Sequence, residues 1–146
     1  RLAHPYIGYV LGGLGFLLLA GLLAGWAGIG VLLAISGFAQ VQILLSDYVQ
    51  HYGLERAEAA DGRLEPVRAA HSWNSPHRVT SAMMLNAPRH SDHHLHPGRI
   101  YPGLQLDAET MPMLPRSLPV MAVVALVPSW WRRVMNPRLL KWQAEA

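Results

Sequence analysis

Apolar positions dominate the first third of the chain, and charged positions are almost absent from it. After Arg1, the next Asp, Glu, Lys or Arg is Asp47. An uncharged stretch of this length exceeds one bilayer crossing of about 20 residues and suits two crossings separated by a turn. The glycines and Trp26 of residues 25–30 suit that turn, because glycine tolerates tight backbone and tryptophan suits the headgroup level. The pattern predicts a transmembrane helical hairpin with spans at residues 6–23 and 31–45.

Beyond residue 46 the pattern changes to polar residues, histidine, arginine and proline. We expect Gly53 to stop or bend the second helix, residues 55–60 to add one or two helical turns, and Asp61-Gly62 to turn the chain. A further helix is predicted from Ser75 to Leu85, with Ser75 as its N-cap and Pro76 in its first position.

Prolines in the last third of the chain predict only short elements there. The apolar run 120–127 is too short to cross a bilayer, and the Trp-Trp-Arg-Arg sequence that follows it favours an interfacial segment. The predicted fold is an all-α membrane protein. Residues 1–46 form two transmembrane helices, and residues 47–146 form a His-rich helical and loop cap that ends in the interfacial segment.

Charge indicates where this cap lies. Only 14% of the residues are charged, against about 25% in soluble domains, and a helix apolar all round is atypical of a soluble protein. Two spans return the chain to its starting side, and nearly all Arg and Lys follow Asp47, so the positive-inside rule predicts a cytoplasmic cap. Scattered arginines predict contact with membrane lipid and no nucleic-acid partner. Because the chain starts at Arg1 without a signal pattern, we expect it to be a piece of a longer polypeptide.

The candidate chemistry lies in the histidines. There is no cysteine and there are eight histidines, so a bound metal would have nitrogen or oxygen ligands. His90, His93 and His94 form a His-x-x-His-His cluster, and in a helix their rings fall within an arc of about 100° on one face. This predicts a metal site, the alternative being a solvated or headgroup-binding loop. Asp92 is a candidate to accept a second ring N–H of a histidine, whereas His96 is expected to face solvent.

Two further stretches carry candidate residues. Asp47 and His51 are four residues apart, so the carboxylate can orient the imidazole, although His51 alone resembles an ordinary residue of an aromatic belt. The sequence His71-Ser72-Trp73-Asn74-Ser75 reads either as a capped helix start or as a source of residues that support metal ligands, namely His71 and Asn74.

These motifs resemble those of the integral-membrane alkane 1-monooxygenase family, which is related to xylene monooxygenase and the membrane fatty-acid desaturases. Residues 47–54 look like the family motif Asn-Tyr-x-Glu-His-Tyr-Gly-Leu, with Asp47 and Gln50 in place of Asn and Glu. His-Ser-Trp-Asn-Ser stands unchanged at residues 71–75, and residues 89–94 match the end of Leu-Gln-Arg-His-Ser-x-His-His. Residues 130–138 are also similar, so the resemblance extends over most of the region after residue 46.

The resemblance implies a multi-pass protein of the bacterial inner membrane, with a non-haem di-iron (Fe) centre on the cytoplasmic side of a six-helix bundle. Its iron ligands here would be His51, His90, His93 and His94, and it would hydroxylate the terminal carbon of a hydrophobic substrate with O2. Electrons would come from rubredoxin and rubredoxin reductase. Asp47, Gln50, His71, Asn74 and Asp92 are the candidates for residues that support the ligands.

The family also has two earlier His motifs, and neither is present here. We therefore expect the chain to correspond to the last two of six spans plus the cap, and to be inactive by itself. Three alternatives stay open: a monooxygenase of xylene-type methyl groups, a membrane fatty-acid desaturase or hydroxylase, and a membrane protein that binds metal without catalysis.

Overall fold

The computed structural model describes residues 4–145, which form five α-helices and no strand within that range. The helices are α1 (Pro5–His51), α2 (Arg78–Met83), α3 (His90–Leu95), α4 (Leu118–Ala125) and α5 (Pro128–Glu145). Short 3-10 helices lie at Ala69–His71 and Tyr101–Gly103. The predicted all-α class is confirmed, and the chain divides into two compact units, Arg1–Ile43 and Leu44–Ala146.

The first unit consists almost wholly of the apolar part of α1. This helix is long and apolar enough to cross a membrane, and its most apolar window is not buried within the protein. Its backbone leaves the helical region at Ala24 and at Gly25, where φ is +59°. The predicted break therefore falls at the first glycine of residues 25–30, and the remaining residues of that stretch are helical. A cavity of about 320 Å³ is lined by residues from both sides of the break, which are Gly13, Phe16, Leu17, Leu32, Leu33 and Ser36.

The second unit has its own hydrophobic core, built where the last turn of α1 meets α4 and α5. Its buried members are Val49, Trp73, Leu114, Leu118, Met121, Trp131 and Met135. Trp131 is completely buried, with its ring centroid 5.2 Å from that of Tyr52 in an edge-to-face arrangement. Such aromatic pairs contribute about 0.5–1.5 kcal/mol beyond the area they bury.

Gly53 ends α1 as predicted. Its φ of +68° is left-handed, and a Cβ at this position would overlap the side chain of Leu139. The predicted turn at Asp61-Gly62 is also present, with φ of +77° at Gly62. The prediction of helical turns at residues 55–60 was wrong, because Glu58 pairs with Leu64 in an antiparallel bridge and the backbone groups of this segment bond across the turn.

The predicted helix start at Ser75 was also wrong. The helix α2 begins at Arg78 and ends at Met83, and Ser75 is buried in extended chain before it. The Ser75 backbone N–H donates to the carbonyl of Pro88 at 3.0 Å, and Asn74 forms a parallel bridge with Met113. Because these distant partners take the backbone groups, the local helix-start signal is overridden.

The last third of the chain is more helical than its prolines indicate. The helix α5 has 18 residues and contains Pro137, which contradicts the prediction of only short elements. The predicted interfacial run overlaps α4, whose Leu118 and Met121 are buried while Val123 is 65% exposed. One face of α4 therefore belongs to the core, because it packs against α5.

Candidate metal centre

Three histidines from two distant parts of the chain come together in the second unit. His51 is the last residue of α1, whereas His90 and His94 lie one turn apart on α3. The Nε2 atom of His94 is 3.1 Å from Nε2 of His51 and 2.9 Å from Nε2 of His90. One ring nitrogen from each of the three lies within 4.8 Å of the others. The helical arrangement predicted for His90 and His94 is confirmed.

This arrangement suits a cation better than it suits hydrogen bonding. A single Nε2 either carries one proton or presents one lone pair, so the His94 Nε2 cannot form good hydrogen bonds to both neighbours. A metal accepts lone pairs from all three nitrogens. Nitrogen ligands at about 2.1 Å from a metal and at right angles to each other lie about 3.0 Å apart, close to the two distances observed. The residues present therefore fit a divalent metal that accepts imidazole ligands, and iron is such a metal.

Asp47 lies where its spacing from His51 predicts. Its Oδ1 atom is 3.1 Å from the Nδ1 atom of His51, and its backbone carbonyl oxygen is 3.0 Å from the same nitrogen. Both oxygens accept, so the ring proton is held at Nδ1 and the lone pair of His51 lies at Nε2, the atom facing His94. The substitution of Asp for the Asn of the family motif therefore keeps an acceptor at this position.

Burial and the neighbouring rings favour the neutral forms of His90 and His94, whose pKa values are both lowered. Burial, followed by the neighbouring rings of His94, His51 and His93, lowers the pKa of His90 to about 3. Burial, followed by His51 and His93, also lowers the pKa of His94, while Asp47 opposes the shift. Metal binding needs deprotonated ligands, and at neutral pH these two rings are already in that form.

His93 lies beside the three-histidine group but outside it. Its ring centroid is 5.9 Å from that of His94 and 6.2 Å from that of His90. His93 and His90 together line a cavity of about 350 Å³, which also contains Gln50, Arg99 and Tyr101. Of the four predicted ligands, the chain thus brings three together and leaves His93 facing this neighbouring cavity.

Asp92 does not support any of the clustered rings. This carboxylate is buried and accepts from Nδ1 of His96 at 2.9 Å, from the Arg99 guanidinium at 2.6 Å and from the Gln105 backbone N–H at 2.8 Å. Burial alone would raise the pKa of Asp92, but the hydrogen bonds from Gln105, Arg99 and His96 together lower it. Asp92 therefore fixes the loop after α3, and His96 is half exposed, as predicted, yet paired.

Two further residues predicted to support the metal ligands, Gln50 and His71, lie in different surroundings. Gln50 is buried, accepts from Ser46 Oγ and donates to the Ala87 carbonyl, so it links α1 to the segment before α3. His71 pairs with Glu65 at 3.3 Å, and its ring lines a cavity of about 220 Å³ together with His51 and His94.

Among residues 4–145, the Asn74 side chain forms no hydrogen bond to a histidine ring but bonds to Ser91, which sequence reasoning missed. In the sequence, Ser91 is marked only by its position between His90 and His93. Serine is common near helix starts, so its presence there does not by itself indicate a role in positioning ligands.

Comparison with known proteins shows the family of the chain. A sequence model of the fatty acid desaturase family matches residues 3–134, and the chain therefore belongs to that family.

Within it, the chain is similar to proteins named alkane 1-monooxygenase, which confirms the predicted resemblance. It is 44% identical over 119 residues to alkane 1-monooxygenase 2 of Alcanivorax borkumensis, covering 82% of this chain and 31% of that protein. It is 42% identical over 105 residues to the Pseudomonas putida enzyme, covering 72% and 26% respectively. The chain spans about a quarter to a third of the length of these relatives.

Proposed function

We propose that this chain is the part of a membrane-bound non-haem di-iron monooxygenase that supplies His51, His90, His93 and His94 to the metal centre. The enzyme hydroxylates the terminal carbon of an alkane with O2. The observation that carries the proposal is the convergence of three imidazole nitrogens from α1 and α3 within 4.8 Å. The similarity to alkane 1-monooxygenases supports the reaction class.

The side chains of this chain have three tasks in that enzyme. Asp47 holds a proton at Nδ1 of His51 and so leaves Nε2 as the donor atom. Burial keeps His90 neutral, so its lone pair is free without loss of a proton. The Asp92 network holds the loop that follows α3. Iron bound by these ligands supplies the redox chemistry with O2 that the organic side chains lack.

The membrane arrangement belongs to the same proposal. The helical break at Ala24 and Gly25, and the cavity lined from both sides of it, support a transmembrane hairpin in a multi-pass protein. The excess of Arg and Lys after Asp47 supports a cytoplasmic cap in the bacterial inner membrane. Exposed Val123 and Trp130, near Arg132 and Arg133, support contact of the C-terminal segment with lipid headgroups.

The proposed electron donors are rubredoxin and rubredoxin reductase, and the substrate is a hydrophobic small molecule. The test is a chimera in which the chain replaces the aligned segment of the Pseudomonas putida enzyme, assayed in membranes with NADH, rubredoxin and its reductase. We expect octane to be converted to 1-octanol. His94→Ala should abolish product, whereas His77→Ala, which alters an exposed histidine outside the cluster, should not.

Other products would indicate one of the alternative functions. A benzylic alcohol from xylene without octanol would indicate the methyl-group monooxygenase, and a modified membrane lipid would indicate a desaturase or lipid hydroxylase. A chimera that binds iron through His94 but oxidises none of these substrates would contradict the proposal. It would favour metal binding without catalysis.

A further inference from the structure

A buried polar pair, Asn74 and Ser91, connects the helix that carries His90 and His94 to the segment before α2. Asn74 and Ser91 are both fully buried, although their side chains are polar. The Asn74 Nδ2 donates to Ser91 Oγ at 2.7 Å and to the Ser72 carbonyl at 2.7 Å, and the Ser91 backbone N–H donates to Asn74 Oδ1 at 3.0 Å. Ser91 Oγ also lies 2.7 Å from the Ala69 carbonyl and 2.9 Å from that of Ser72.

The backbone around Asn74 is fixed as well. Its N–H donates to the Pro112 carbonyl at 2.8 Å, and its carbonyl accepts from the Leu114 N–H at 2.7 Å. Leu114 belongs to the hydrophobic core. The Asn74 amide is thus anchored to the core on one side and bonded to α3 on the other.

The helix α3 depends on the bonds to Asn74 because so short a helix is unstable by itself. It has six residues, and its N-cap, Arg89, forms no side-chain cap hydrogen bond. A helix of one or two turns does not persist in isolation, and its first N–H groups have no partners within the helix. Asn74 Oδ1 satisfies the first-turn N–H of Ser91, which is the residue after His90. Together with the bonds of Ser91 Oγ, this bond ties the first turn of α3 to residues 69–74.

We propose that Asn74 and Ser91 are positioning residues, which aim the rings of His90 and His94 at the Nε2 atom of His51. This inference rests on the proposed metal site. Metal ligands need to be held within about 0.5 Å and 10–20° of their productive geometry. A rotation of α3 beyond that range separates nitrogens that now lie 2.9 Å and 3.1 Å apart.

The test is a titration of the purified full chain in detergent micelles with Co²⁺, whose visible absorption reports both binding and ligand geometry. Asn74→Ala and Ser91→Ala are compared with Ser75→Ala. Ser75 is also buried, but its Oγ atom has no hydrogen-bond partner among residues 4–145. We expect the first two variants to weaken Co²⁺ binding by about 10–100-fold, the usual effect of losing a group that orients ligands, and to shift the cobalt absorption. Ser75→Ala should bind as the parent does.

Near-ultraviolet circular dichroism and the melting temperature of the metal-free chains separate positioning from folding. If Asn74→Ala does not fold, the pair Ser91→Ala and Ser75→Ala decides the question. A folded Ser91→Ala variant with lower stability but the affinity and absorption of the parent would overturn the inference and leave the metal site intact. If the parent chain binds no Co²⁺, the same variants are compared in the chimera with the Pseudomonas putida enzyme, and a chimera that binds no metal either would overturn the metal site and the inference with it.

Discussion

Two buried tryptophans permit a direct measurement of one hydrogen bond in the core. The Trp73 indole N–H donates to the Tyr52 carbonyl at 2.9 Å, next to the proposed metal ligand His51. The Trp131 indole N–H has no partner among residues 4–145. Both side chains are almost completely buried and belong to the same cluster. Replacing either by Phe removes the same atoms, so the change in packing is similar in the two variants.

The hydrogen bond therefore determines the difference between the variants. Trp73→Phe leaves the Tyr52 carbonyl without this donor, which costs about 1–3 kcal/mol. Trp131→Phe removes a buried N–H that is already unbonded, so part of the lost packing is offset by relief of its desolvation. We expect Trp73→Phe to be less stable than Trp131→Phe by about 1–3 kcal/mol, which for a domain of about the size of the second unit corresponds to about 4–24 °C in melting temperature.

The assay is urea unfolding of each full chain in detergent micelles, followed by far-ultraviolet circular dichroism, since removing a tryptophan alters fluorescence. The difference in unfolding free energy is the quantity to compare. Equal losses in the two variants, or a larger loss for Trp131→Phe, would refute the reasoning.

Three further outcomes follow from the same structure. Gly53→Ala should destabilise the chain in urea by about 1–3 kcal/mol, and by more than Gly62→Ala, because both glycines have positive φ but only at Gly53 would a Cβ overlap a leucine side chain of α5. In the metal-free chain, the unfolding free energy should fall as pH falls from about 6.5 towards 3, because the low pKa of His90 means that only the unfolded state takes up a proton at this ring in that window. His90→Gln should reduce the dependence of the unfolding free energy on pH, and an unchanged dependence would contradict the lowered pKa of His90. In the full chain, His94→Ala should weaken Co²⁺ binding by at least about tenfold, and His93→Ala by less, because the His93 ring lies outside the three-histidine group.

Local sequence signals succeeded where one helix or one turn decides the geometry. The spacing of Asp47 and His51 correctly predicted their contact, and the spacing of His90 and His94 correctly predicted that their rings share a face of α3. Gly53 ends its helix as expected because only glycine readily adopts its conformation. These interactions span four residues or fewer, so the backbone alone sets them.

The same kind of reasoning failed where distant segments compete for the same backbone groups. Ser75 carries the signals of a helix cap, yet its N–H bonds to Pro88, thirteen positions along the chain. Asp92 accepts from a histidine ring as expected, but that ring belongs to His96, and Arg99 and Gln105 also bond to its carboxylate. The length of α5 was missed because a proline inside a helix is tolerated when tertiary packing compensates for the lost hydrogen bond.

The amino-acid sequence by itself determined the kind of site: nitrogen donors without thiolates, a paired Asp47 and His51, and imidazoles at helical spacing near long apolar spans. Only the tertiary structure decided which donors meet. His51 and His94 are 43 residues apart in sequence, and their nitrogens lie 3.1 Å apart because α3 is bonded through Asn74 to chain that the core holds in place. Helical periodicity determines neighbours within one segment, whereas contacts between segments depend on packing and backbone bonds contributed by the rest of the chain.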